Sequence, residues 1–118
     1  MKENIVAIKS DLFAIEVIHL CRQLRKKNEY ELASQILRAG TSIGANIAES
    51  KEAQSRKDFI NKLSIAHKEA RETRYWLNLL LKSTVCTIDE LSCIKLLEEI
   101  LALLTKIQKT LKTNHPLN

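Results

Sequence analysis

Residues 55–82 read S-R-K-D-F-I-N-K-L-S-I-A-H-K-E-A-R-E-T-R-Y-W-L-N-L-L-L-K, and within them Phe59, Leu63, Ala66, Ala70, Thr73, Leu77 and Leu80 recur at steps of four and three without a break. That period draws one apolar row along an α-helix. Ser55 and Asp58 have the spacing of a capping box, so a helix is predicted over residues 56–82. At 1.5 Å per residue it would be about 40 Å long, enough to serve as the spine of a bundle.

Toward the C-terminus, Thr87 and Glu90 form a second capping-box pair, and Cys93, Leu97, Ile100, Leu104, Ile107 and Leu111 make another row of fours and threes. A helix is predicted over about 88–113, ending before Pro116. On the other side, Leu32, Ile36, Ala39, Ile43 and Ile47 predict a helix over about 30–52. It is lined with small residues, Ala33, Ala39, Gly40, Gly44, Ala45 and Ala48, which let a neighbouring helix come close. Each glycine costs roughly 1 kcal/mol relative to alanine inside a helix, so close packing must offset it.

The first helix is predicted over about 10–27, with Ser10 as its cap. Only Glu16 and His19 interrupt the apolar run from Leu12 to Cys21, and Arg22, Arg25, Lys26 and Lys27 close it at the end where a helix dipole favours cations. The run is apolar on more than one face, whereas a helix on the outside of a monomeric bundle needs a single stripe. A second buried surface, and so self-association, is the hypothesis that follows.

Four amphipathic helices with short connections predict an all-α single domain over residues 1–118, an up-down-up-down antiparallel four-helix bundle. Two Gly and one Pro are too few for the tight turns of a β-sandwich or barrel. An apolar share of 45% supplies a core, which argues against disorder.

Nineteen Lys and Arg against fourteen Asp and Glu leave a net charge of +5, and the pI is near 9.2. Such a balance suits a polyanionic partner or simply keeps a protein dissolved. Three cysteines, Cys21, Cys86 and Cys93, are odd in number and lack C-x-x-C spacing, so neither a disulfide framework nor a zinc knuckle is expected. The first apolar stretch breaks at Lys9, Ser10 and Asp11, too soon for a signal peptide or a membrane span. A cytoplasmic protein with no membrane partner is the expectation.

No converging nucleophile, base or metal-ligand set is visible. Glu16-x-x-His19 has the spacing used in di-iron bundles, but those need a second such motif and two further Glu residues. His67 falls on the polar side of its helix and His115 in the tail. Gly40 to Gly44 lacks the pattern of a phosphate loop. The expectation is no catalytic residue, metal or cofactor.

In a hairpin turning near 53–55, facing positions of the second and third helices have numbers summing to roughly 108. Arg38 then faces Ala70, and a structural ion pair with Glu69 or Glu72 is predicted. Asn46 and Glu49 are expected among small apolar residues, serving packing and backbone hydrogen bonding. Lys57, Asn61, Ser64, Lys68, Arg71 and Tyr75 share a broad face of the third helix, with His67 and Arg74 beside it. Lys57, Lys68, Arg71 and Arg74 are the candidate nucleic-acid-binding residues, able to neutralise backbone phosphates in a salt-dependent way. Glu72, one turn after Lys68, takes up part of that charge. The five aromatic residues offer no stacking platform for single-stranded bases, so binding should be electrostatic and poorly sequence-specific.

The strings L-R-A-G-T-S-I-G-A-N-I-A-E at 37–49 and E-A-R-E-T-R-Y-W-L at 69–77 give the chain a resemblance, from Ser10 into the last helix, to a known family. It resembles the four-helix-bundle proteins first noticed as products of intervening sequences inside bacterial 23S ribosomal RNA genes, also called S23-like. The resemblance implies a left-handed antiparallel bundle, a homopentamer around a central channel, and no established catalytic activity. Similar basic pentamers among the accessory proteins of diversity-generating retroelements bind nucleic acid and a reverse transcriptase. Five copies would carry five times +5, or +25, and pool modest cationic stripes into an avid surface. The expected function is a non-enzymatic homo-oligomeric bundle that binds RNA or DNA backbones, with a protein partner also conceivable; the alternative is a protein-interaction scaffold without nucleic-acid binding.

Overall fold

The computed structural model describes residues 2–114, and side chains over 5–113. It contains four α-helices, α1 (Lys2–Lys26), α2 (Tyr30–Ser50), α3 (Arg56–Lys82) and α4 (Cys93–Asn114), with a short 3-10 turn at Asp89–Leu91 and no strand among the described residues. Each helix packs against two neighbours in the ring α1, α2, α3, α4, while the diagonal pairs barely touch. The result is a rod of 50 × 23 × 22 Å.

The α3 row is buried as its spacing requires. Leu63, Ala66, Ala70, Thr73, Leu77 and Leu80 face the core, and Ser55 Oγ accepts from the Asp58 backbone N–H at 3.1 Å to start the helix. Phe13, Ile36, Ile43, Leu97, Ile100 and Leu104 complete the interior with full burial, and Phe59 packs at its edge. Burying a side chain of this size contributes about 1.5–3 kcal/mol each, and these rows hold the rod together.

Three boundaries differ from the sequence reading by more than one residue, each for a physical reason. α1 begins at Lys2 rather than at Ser10, because nothing between them breaks a helix, and Val6 is already buried. Ser10 is therefore not a cap. It sits inside the helix, fully buried, and its Oγ has no hydrogen-bond partner. Its value is its size: a Cβ built on Gly44 would stand in ordinary contact, 3.5 Å from the Ser10 Cβ, so a methyl group fits at Gly44 but a bulky side chain at either position would push α1 and α2 apart. Gly40 is closer still, with an added Cβ 3.0 Å from both Val17 methyl carbons.

α2 ends at Ser50, short of 52, where Lys51, Glu52 and Ala53 make tight turns back to the last carbonyls. The Thr87 and Glu90 box does form: the Thr87 N–H donates to Glu90 Oε1 at 2.9 Å and the Glu90 N–H to Thr87 Oγ1 at 3.4 Å. It closes the 3-10 turn instead of opening α4, which starts only at Cys93. The turn buries Leu91 in the core, and Lys27 Nζ, donating to Val85 O at 2.8 Å and to Glu90 Oε2 at 3.0 Å, ties this loop to the end of α1. Asn28, just past α1, has φ 66°, a left-handed cap that a short polar side chain tolerates.

Candidate nucleic-acid interface

Because the buried row of α3 faces inward, the helix turns Lys57, Lys68 and Tyr75 to solvent and Arg71 and Arg74 toward α4. The four candidate cations therefore do not form one line. Lys57 lies three turns before Lys68, beside Ser55, Asn61 and Ser64 at the start of the helix. Lys57, Lys68 and Arg71 make no salt bridge with any described residue, whereas Arg74 Nη1 donates to Glu98 Oε1 of α4 at 3.2 Å.

On the opposite flank of α3, Arg38 of α2 reaches Glu69 Oε1 at 3.3 Å and also bonds Glu72 Oε2. Trp76 Nε1–H donates to the same Glu72 oxygen at 3.1 Å. That bond, followed by Arg38 and then Lys68 and opposed by partial burial, holds the Glu72 carboxyl below the ordinary carboxylate value. Tyr75 stands edge-on against Trp76 with ring centroids 5.3 Å apart and remains more than half exposed. Glu49, expected among small apolar residues, is instead an outer residue that accepts from Lys62 Nζ at 2.8 Å, because the α2 row that packs inward ends with Ile47 and Ser50. Asn46 is half-buried and donates to Ser42 O at 2.8 Å, a local backbone bond.

His67 is not a solvated residue. Its Nδ1 lies 2.6 Å from Gln108 Oε1 and its Nε2 3.4 Å from Thr105 Oγ1, while Gln108 Nε2 donates to Ser64 Oγ at 3.2 Å. This network sets the spacing of α3 and α4 along a groove of about 510 Å³. Its α3 wall carries His67, Arg71 and Arg74, and its α4 wall Glu98, Thr105, Lys106 and Lys109, over a floor of Leu101 and Ala102. Lys106 and Lys109 were not singled out from the sequence. Their spacing of three, opposite the buried Leu97, Ile100, Leu104 and Ile107, is the signal that marks them.

A second cavity, of about 400 Å³, lies where the end of α1 meets the loop before α4. Glu16, His19, Gln23 and Lys27 line it together with the buried Cys86 and Cys93. Burial pushes the thiols of Cys21 and Cys86 up and that of Cys93 to about 11, so near neutrality they stand protonated and weakly nucleophilic. Among the described residues no three His, Cys, Asp or Glu side chains are grouped to hold a metal ion, and His115 lies outside them. No described helix is long and apolar enough to cross a membrane.

The outer face of α1 is the other unusual surface. Ile5, Ile8, Leu12, Ile15 and Ile18 follow one another at steps of three and four and are exposed by 37% at Ile18 to 60% at Ile8. The apolar surface inferred from Leu12 onward thus begins earlier, at Ile5, and no described residue covers it.

The sequence model of a family described as 23S rRNA-intervening sequence protein matches residues 2–108. The chain belongs to that family. Its fold is similar to that of a solved protein with unknown function from the S23 ribosomal protein family of Bacteroides thetaiotaomicron VPI-5482. The two share 48% identity and a TM-score of 0.87, over 92% of this chain and 99% of the other. No curated protein matches it. Membership in the 23S rRNA-intervening sequence family accounts for the strings at 37–49 and 69–77, which fall on the close α1–α2 crossing and on the α3 flank that holds Arg38.

Proposed function

We propose that this member of the family is a non-enzymatic, homo-oligomeric bundle of up-down-up-down topology that binds RNA or DNA backbones and works in the cytoplasm as an accessory or adaptor protein. The observation that carries the reading is a set of unpaired cations on α3. Lys9, Lys27, Arg38, Lys62 and Arg74 each hold an acidic partner, while Lys57, Lys68 and Arg71 on α3 hold none among the described residues. Unpaired cations on a helix face are available to phosphates, and neutralising phosphates releases counterions.

The apolar α1 face supports assembly with copies of the chain, since contiguous exposed apolar surface on a protein marks an interaction site. Five copies, the number the family resemblance implies, would carry +25 and give each cationic face the benefit of its neighbours. The same resemblance extends the reading to nucleic-acid and protein partners like those of retroelement accessory proteins.

A scaffold that binds only protein is the second reading. It is favoured by the Arg74–Glu98 pair and by Glu72 next to Lys68, which together offset two of the four candidate cations. A mobility shift with structured RNA and with duplex DNA separates the two readings. The nucleic-acid reading expects binding at low salt that weakens steeply as salt rises, and no shift at low salt would leave the scaffold.

A further inference from the structure

We infer that the groove between α3 and α4 is a phosphodiester-backbone site, built from Arg71, Lys106 and Lys109 and turned away from the apolar face of α1. The inference rests on the nucleic-acid reading above and says where and how the polyanion lies.

Three observations carry it. The first is charge. Arg71, Lys106 and Lys109 line one groove from two helices and make no salt bridge with a described residue, while the carboxylate that does face the groove, Glu98, is already bonded to Arg74. The second is shape. From Glu98 to Lys109 the α4 wall runs about 16 Å, long enough to hold a short stretch of one strand with more than one backbone phosphate. Phosphates recur along such a path at every step, whereas carboxylates of an acidic peptide recur only where its sequence places them. The floor is Leu101 and Ala102, and the one ring in the lining, His67, is held by Gln108 and Thr105, so the strand is held by its backbone. Tyr75, the exposed ring of α3, points to the outer face instead.

The third is placement. Around the ring of helices α3 stands diagonally across from α1, and the α3–α4 groove opens on the side opposite the α1–α2 pair. Copies joined through Ile5, Ile8, Leu12 and Ile15 would therefore carry their grooves on the perimeter of the assembly. The polyanion wraps the outside and does not thread a central channel. Lys57 and Lys68 do not line the groove; Lys68, one turn before Arg71, adds charge at its rim, and Lys57 near the start of α3 contributes from farther away.

The test is fluorescence anisotropy with a labelled 20-base-pair DNA duplex and an RNA duplex of the same length, titrated from 50 to 200 mM salt. Three proteins are compared: the full chain, Arg71→Ala/Lys106→Ala/Lys109→Ala, and the charge-matched Lys26→Ala/Lys51→Ala/Lys82→Ala, whose side chains are exposed outside the groove. Loss of the groove cations should weaken binding about tenfold or more and lower the slope of log affinity against log salt by roughly two to three. The control should change affinity by less than about threefold. Arg71→Lys/Lys106→Arg/Lys109→Arg, which keeps the charge, should bind like the parent, and circular dichroism checks that every variant folds. Should the groove triple fall short of its fold, Lys106→Gln/Lys109→Gln on α4 alone asks the same question. Binding by the parent with equal losses in the groove variant and the control overturns the groove and leaves the nucleic-acid reading standing. No binding by the parent at 50 mM salt overturns both.

Discussion

The outward faces of α1 and of the α3–α4 pair solve the same problem in opposite ways. Both belong to helices whose inner rows are fully buried, yet α1 turns Ile5, Ile8, Leu12, Ile15 and Ile18 to solvent while α3 and α4 turn out Lys57, Lys68, Arg71, Lys106 and Lys109. A helix that is apolar all round belongs inside something larger, and one with a charged outer face belongs at a boundary with water or with a charged partner. The contrast assigns each face its contact: protein against α1, polyanion against α3 and α4. It also makes the two separable by mutation, because neither set of side chains is part of the core.

The largest expected effect breaks the α1 side. Ile8→Glu/Leu12→Glu places two charges in the middle of the apolar face and should raise the dissociation constant for self-association by about a hundredfold or more, read by light scattering across a concentration series. The helical circular dichroism should stay, since both side chains are more than half exposed in the single chain. Loss of helix along with assembly would mean that these residues hold the bundle itself together.

The inner side of α1 gives the next prediction, and two glycines of the same helix should respond with opposite signs. At Gly40 a Cβ would meet the stiff, fully buried Val17 at 3.0 Å, so Gly40→Ala should lower unfolding stability by about 1–2 kcal/mol. At Gly44 the nearest atoms are 3.5 Å away, an ordinary contact, so Gly44→Ala should raise it by up to about 1 kcal/mol through helix propensity. Urea titrations at one fixed protein concentration read both, because assembly makes apparent stability depend on concentration. Equal effects at the two positions would show that the α1–α2 crossing is looser than its geometry.

The smallest effect belongs to the charged side, where Glu72 joins Trp76 and Arg38. Its carboxyl is held below the ordinary value of 4.5 in the folded protein, so the group binds protons more weakly when folded than when unfolded. The stability it contributes is therefore present above about pH 4.5 and is lost as pH falls through the lowered folded value. Replacement by Gln should cost less than about 1 kcal/mol at pH 7 and progressively less as the pH falls below 4.5, measured by urea unfolding at each pH. A difference that does not shrink toward acid pH would point to lost packing against Trp76 rather than to charge.

How much of this could be seen in the sequence depended on what kind of order carried it. The α3 row from Phe59 to Leu80 repeats along most of a 27-residue helix, so its helix and its buried face follow from spacing alone. The proximity of Arg38 to Glu69 and Glu72 came from simple register in a hairpin. Boundaries set by distant partners did not follow. Nothing local reveals that Lys27 would reach Val85 and Glu90 or that Leu91 would be buried in a turn ahead of α4, or that Ser10 is needed small inside a helix rather than polar at its end. The groove was half visible: the α3 cations stand in one segment, but Lys106 and Lys109 gain meaning only when α4 is laid beside Arg71. The exposed face of α1 was inferred from too many apolar positions, yet Ile5 and Ile8 were overlooked because the helix was begun too late.

The central claim is that the apolar outer face of α1 is covered by other copies of this chain. Light scattering on the purified protein at micromolar concentration measures it directly. The expected mass is that of an oligomer, about 68 kDa for five chains of 13.5 kDa each, and a single compact species of 13.5 kDa would contradict it.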